Sequence, residues 1–209
     1  MQKNYIMTIK KFIPALLLIA ISVTLFSFVL PTGWFIAGSK PGSYEMGIDK
    51  GSGKDGKNAA TIKSIDSAID GFGTLMQDCL PGKYLGKRIR MTGWLKTKGV
   101  SEWSGLWLRI DTKSSIKAAV FDNMHDGKKN QSLKGSTDWN KCEIILDVPD
   151  NASNIAYGAL LVGTGQIWFD KLSFEIVTPD IQTTGIERDT QSSTYTSHQS
   201  EPVNLDFEN

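Results

Sequence analysis

The chain has 209 residues, 40% of them hydrophobic, which suffices for one domain of ordinary size with appendages. Twenty-three Lys and Arg stand against twenty-two Asp and Glu, a balance that removes any global electrostatic case for nucleic acid or an anionic membrane surface as partner. Two cysteines, Cys79 and Cys142, with no CxxC and no His cluster beside them, argue against a metal centre and leave open a single disulfide or two small buried thiols.

The N-terminus carries three Lys and no acid in "MQKNYIMTIKK", then nineteen uncharged residues, "FIPALLLIAISVTLFSFVL". Residues 1–30 therefore read as one hydrophobic helix with two fates. About twenty apolar residues span a bilayer as an anchor, whereas Ala20-Ile21-Ser22 is a small-x-small site at which a signal peptide is cut after Ser22. Either fate keeps the Lys-rich flank inside, so the remainder is expected to be extracytoplasmic: periplasmic, on the cell surface or secreted.

From 31 to 177 the texture is all-β, with short alternating segments separated by Gly, Asn, Asp and Lys. The pattern predicts strands near 34–37, 43–48, 58–64, 72–78, 84–98, 104–111, 116–124, 140–148, 153–162 and 166–177. Ten strands at this spacing predict a two-sheet antiparallel β-sandwich of jelly-roll type. "IAYGALLVG" is apolar on both faces and should lie centrally.

Between the second and third predicted strands, "GSGKDGKN" nearly fits a phosphate-cradling loop. It lacks the final Ser or Thr, and no helix follows to receive a phosphate, so a hairpin loop is expected. His125 lies in a polar loop and His198 in the Ser/Thr-rich tail, with neither HExxH nor G-x-S-x-G nearby. Catalysis is not expected.

The informative chemistry is in the strand faces. In "KRIRMTGWLK" Ile89, Met91 and Leu95 alternate with Arg88, Arg90 and Trp94. In "GLWLRID" Leu106, Leu108 and Ile110 alternate with Trp107, Arg109 and Asp111. Two such strands paired in a meander would gather both Trp, the three Arg and Asp111 on one surface. Aromatic ring faces beside guanidinium and carboxylate suit a sugar. The other reading makes Arg109 and Asp111 a structural ion pair and the Trp residues cross-strand stabilisers.

After Val177 the composition shifts: ten of the twenty-four residues from Thr178 to Glu201 are Ser or Thr, which predicts a flexible linker at 178–201. It leads to "PVNLDFEN", residues 202–209, where Val203, Leu205 and Phe207 alternate as in a strand opening. Either this tail begins a truncated second copy, and is disordered, or it folds back beside "PTGW" of this domain or of a neighbour. The first is the expectation, because Val23 to Leu30 could serve as the opening strand after signal cleavage.

Several stretches in order resemble the carbohydrate-binding jelly rolls of the galactose-binding-like superfamily: "PTGW", "GKNAATIKS", "MQ", "PGKYLGKRIRMTGWLK", "TDWNKCEIILDVP" and "GQIWFDKLSFEIV". "GLWLRID", "FDNM" and "GSTDW" followed by "LDVP" more narrowly resemble an accessory domain found beside bacterial serine-peptidase and erythromycin-esterase-like domains. "HDGKKNQSLK" departs from the shorter turn of that pattern. The resemblance implies a non-catalytic binding module, with carbohydrate as the expected ligand of Trp94, Trp107, Arg109, Asp111, Arg88 and Arg90. The alternative is a protein-interaction or structural module of an envelope assembly. It also implies a structural calcium held by Asp170 in the last strand and an acid of an "NxxFE" motif, which in this chain occurs only at Asn204 to Glu208.

Overall fold

A computed structural model describes residues 28–112, 119–188 and 199–209. The predicted hydrophobic helix, and with it the Ser22 cleavage site, lies outside the described residues except for its last three positions. Among the described residues no helix is long and apolar enough to cross a membrane.

Among the described residues ten strands follow one another: β1 (Phe35–Gly38), β2 (Tyr44–Asp49), β3 (Ala59–Ser64), β4 (Phe72–Cys79), β5 (Lys87–Thr112), β6 (Ala119–Asp122), β7 (Leu133–Val148), β8 (Ala152–Val162), β9 (Gln166–Val177) and β10 (Ile186–Arg188). Every pairing between these strands is antiparallel. The all-β expectation holds. So does the hairpin at "GSGKDGKN", which joins the paired strands β2 and β3.

Two predicted strands, 84–98 and 104–111, are one strand of 26 residues, β5. The gap expected between them, 99–103, is absorbed as bulges, with register shifts against β7 between Thr97 and Ser104 and Gly99 at φ 61°. Bulges bend a strand and sharpen its twist without ending it. They also change which side chains point inward: Ile89, Met91 and Leu95 before the bend and Leu106, Leu108 and Ile110 after it are all fully buried. The first half of β5 pairs with β7 and β9, the second half with β6 and β8. The two expected sheets are thereby joined through β5 into one path, β1-β4-β8-β5-β9-β3-β2.

The core lies inside this curled sheet. Leu75 of β4, Ile144 and Leu146 of β7, Tyr157 of β8 and Phe169 of β9 reach it and are fully buried, each such side chain contributing roughly 1.5–3 kcal/mol. β8 lies between β4 and β5 and is buried over nearly its whole length, as its doubly apolar sequence predicts. Cys79 on β4 and Cys142 on β7 are buried, unpaired thiols, and burial pushes both up to about 12.

Both chain ends depart from expectation. Val29 bridges to Ile48, its carbonyl accepting the Ile48 N–H at 2.8 Å, so the domain begins before residue 31. The front of the predicted linker is structured: Ile186–Arg188 pair with β6, and the Thr184 N–H donates to the Ile145 carbonyl. The rest of that linker, 189–198, lies outside the described residues.

The tail is neither disordered nor a strand. Residues 202–209 run as irregular backbone, with Asn204 and Phe207 at φ 48° and 60°, and Phe207 is fully buried. Side chains and isolated backbone groups of the body replace a strand partner. Gln77 brackets Val203, accepting its N–H at 2.8 Å and donating to its carbonyl at 3.0 Å. Trp34 Nε1 donates to the Asn204 carbonyl, and the Leu172 N–H donates to the Leu205 carbonyl. The tail seats beside "PTGW" of its own domain, where the Thr32 N–H meets the Asn209 carbonyl.

Candidate functional site

The outer face of β1, β4, β8 and the second half of β5 carries a groove of about 560 Å³. That volume is in the range, roughly 300–1,000 Å³, of sites that hold small ligands. β5 contributes Trp103, Trp107 and Arg109 to its lining, β4 Phe72, Thr74 and Met76, and β8 Leu160 and Val162. Ala37 and Gly38 of β1 lie at one margin; Phe121 of β6, with Asn123 and Asp126 beyond it, lies at the other. Strand alternation produces this lining: with Leu106, Leu108 and Ile110 inward, the odd residues of β5 face out.

The groove is concave partly because small residues lie in register with Trp107 and its neighbours. Trp107 stands opposite Gly158, and Gly105 opposite Leu160. From Trp103 to Arg109 the groove follows β5 for about 20 Å at roughly 3.3 Å per residue.

The polar groups are held tightly. Trp107 is 6% exposed, and its Nε1 donates to Thr74 Oγ1 at 2.8 Å. Arg109 grips Asp111 through Nε at 2.8 Å and Nη2 at 3.1 Å, and Asn154 Nδ2 donates to the same carboxylate. At the opposite margin Asn123 Nδ2 donates to Asp126 Oδ2, and the His125 ring stacks on Trp103 with centroids 4.4 Å apart.

The predicted binding residues are divided between two faces. Trp107, Arg109 and Asp111 belong to the groove side, although Trp107 is buried in a small apolar cluster with Ala156 and Leu160 rather than displayed. Trp94, Arg88 and Arg90 lie on the outer face of the other half of β5, where Trp94 is flanked by Lys141 of β7 and Asp170 of β9. The expected shared surface fails because the two segments are parts of one strand and do not pair. On that second face the Lys54 ammonium lies 4.0 Å over the Trp94 ring. Arg88 makes a two-point pair with Asp147 at 2.7 and 2.9 Å, and Arg90 bridges Glu143 and Glu175. These arginines tie β5 to β7 and β9. The Arg109 and Asp111 ion pair, one of the two sequence readings, is present as such.

Trp103, Phe72, Phe121, Asn123 and Asp126 were missing from the predicted set. Trp103 precedes Trp107 by four residues, so both share a face of any strand that contains them. Starting the strand at 104 hid the spacing.

Asp170 and Glu208 do not fit a calcium ion, which takes about six to eight oxygen ligands. Asp170 is 1% exposed and accepts the Lys54 N–H at Oδ2 and the Lys171 N–H at Oδ1; Glu208 Oε1 accepts the Asn58 N–H. Three of the four carboxylate oxygens are thus engaged by backbone donors. Among the described residues there is no group of three acidic, His or Cys side chains that could hold a metal. The local positive charge is the Lys171 ammonium, which pairs with Asp55 at 2.7 Å; that hydrogen bond, aided by the nearby charges of Asp55, Asp170 and Glu208, raises its pKa. Burial raises the Asp170 carboxyl above its ordinary value.

No family model matches the chain. It is 39% identical over 177 residues to the uncharacterized HTH-type transcriptional regulator YbfP of Bacillus subtilis (strain 168). The match takes in 84% of this chain, and the chain spans 56% of that regulator's length. In fold it is similar to the CBM22-1 xylan-binding domain of Paenibacillus barcinonensis Xyn10C, at TM-score 0.50 and 12% identity over 72% of this chain and 90% of that one. The enzymatically active domain of bacteriophage CBA120 tailspike protein 4 is similar at TM-score 0.52 and 9% identity, over 70% of this chain and 20% of that one. At such identities the likeness is one of fold, and the chain shares the all-β architecture of these domains.

Proposed function

We propose that the chain is a non-catalytic carbohydrate-binding module whose ligand lies in the β1-β4-β8-β5 groove. The observation that carries this reading is the groove itself: the aromatic rings of Trp103, Trp107, Phe72 and Phe121 wall a trough that ends at the Arg109 and Asp111 pair. Ring faces present a dry surface to the C–H faces of a sugar, and a planar guanidinium fixes orientation. The likeness in fold to a xylan-binding domain supports the same reading. The sequence relative is a regulator, and a module of this kind inside a regulator would report a bound ligand to the rest of its chain.

Affinity electrophoresis against soluble xylan, galactan, glucan and mannan tests this. One polysaccharide should retard the protein, and Trp103→Ala should remove at least about tenfold of the affinity, given that aromatic anchors in such pockets carry more than about 1.4 kcal/mol. Trp94→Ala on the opposite face should leave it unchanged. Loss of retardation in Trp94→Ala but not in Trp103→Ala would place binding elsewhere. If no polysaccharide retards the folded protein, the alternative of a protein-interaction module replaces the carbohydrate reading.

A further inference from the structure

We infer that the groove selects a substituted sugar, one bearing acetyl or methyl groups, over a bare polyhydroxyl chain. This rests on the carbohydrate reading of the same groove and names the ligand class within it.

A site for an unsubstituted sugar needs unspent donors and acceptors, because each hydroxyl leaves water on entry and must be paired again. Apart from Arg109, whose Nε is buried without a hydrogen bond, the polar groups of this groove are already spent on one another. Thr74 Oγ1 donates to the Ala159 carbonyl at 2.7 Å and accepts from Trp107 Nε1. Asn123 is 5% exposed; its Oδ1 accepts the N–H groups of His125 and Asp126, and its Nδ2 donates to Asp126. Asp126 receives His125 Nδ1 on its other oxygen. Arg109 donates from Nη2 to Asp111, while its Nε, 2.8 Å from that carboxylate, makes no hydrogen bond, which leaves donors at that end alone.

What the groove offers a ligand is apolar: the side chains of Phe72, Met76, Trp103, Phe121, Leu160 and Val162. A hydroxyl set against them is desolvated without compensation, whereas a methyl group, or the methyl end of an acetyl whose carbonyl stays in water, buries carbon and leaves no donor unpaired. Acetylation or methylation therefore matches the ligand to the wall. Polar recognition is left to the end where Arg109 lies.

The test is calorimetric titration of the full chain with matched pairs: acetylated xylo-oligosaccharides and the same material after alkaline deacetylation, and methylated against unmodified cello-oligosaccharides. The substituted member of a pair should bind about tenfold tighter, the factor expected when one or two methyl groups become buried. Trp103→Ala, altered at the half-buried groove mouth, should abolish the preference. Equal or tighter binding of the unsubstituted member overturns this inference and leaves the carbohydrate reading standing. A preference that survives Trp103→Ala also overturns it, by placing selection outside the groove. No binding of any member, by protein whose near-ultraviolet circular dichroism is native, removes both.

Discussion

Phe207 holds a backbone conformation, φ 60°, that bulky side chains rarely adopt, at a cost of about 1–3 kcal/mol. Its ring offsets that cost. It is fully buried, with its centre 5.0 Å from that of Trp34 and 5.1 Å from that of Phe169. The tail backbone has no strand partner and is held by isolated hydrogen bonds from Gln77, Trp34 and Leu172, with the ring as its buried anchor. Phe207→Ala should lower unfolding stability by about 3–5 kcal/mol, the usual cost of removing a buried Phe, read from the urea midpoint at constant m-value. A change below about 1 kcal/mol would mean that the tail is not seated in solution. Trp107 is the opposite case, a ring that reads as a surface feature because it alternates with buried leucines. It is covered because the outer face of its sheet carries a second apolar layer.

At the scale of elements, the groove depends on how closely β4 and β8 approach. Gly158 is where they meet: a Cβ there would lie 2.3 Å from the Leu75 carbonyl oxygen and 2.9 Å from Met76 Cα, both backbone atoms that cannot swing away. Gly158→Ala must therefore part the two strands. It should cost roughly 1–3 kcal/mol, as overpacking does, and weaken ligand binding through Trp107, which stands opposite it in register. Unchanged stability and binding in that variant would show that the strands are more yielding than their hydrogen bonding implies. β5 has the other decisive role. Its bulges carry one strand from the β7 and β9 side to the β8 and β6 side, and so put Trp94 and Trp107 on different faces.

For the molecule as a whole, the buried titratable groups set the response to alkali. Burial pushes the Cys79 and Cys142 thiols and the Tyr44 hydroxyl up to about 12. In the unfolded chain a thiol ionises near ~8.5. Between those values the folded state holds protons that the unfolded state has released, so stability falls as pH rises. Denaturant midpoints should drop steadily from about pH 8.5 towards 12, within the span those thiols define. The double variant Cys79→Ala, Cys142→Ala should show a shallower slope, after allowance for its lower starting stability. A slope as steep as that of the parent would assign the effect to other groups.

The alternation of apolar and polar residues, read along the chain, determined the all-β class and the inward faces on either side of the β5 bend, but not the continuity of β5 or the presence of β10. The class and the faces depend on local stereochemistry with a period of two residues. The same reading placed Trp107, Arg109 and Asp111 on one strand face, but grouped them with Trp94, Arg88 and Arg90, which lie on the other face. Three things depended on partners distant in the chain. The bulges of β5 showed only against the register of β7. Trp103, Phe72 and Phe121 became one wall only once β4, β5 and β6 were set side by side. The tail became part of the core only through Gln77, Trp34 and Leu172, each at least 33 positions away. A local pattern reports which way a side chain points, but not what stands across from it. The groove is made wholly of such oppositions, so the tertiary structure decided it.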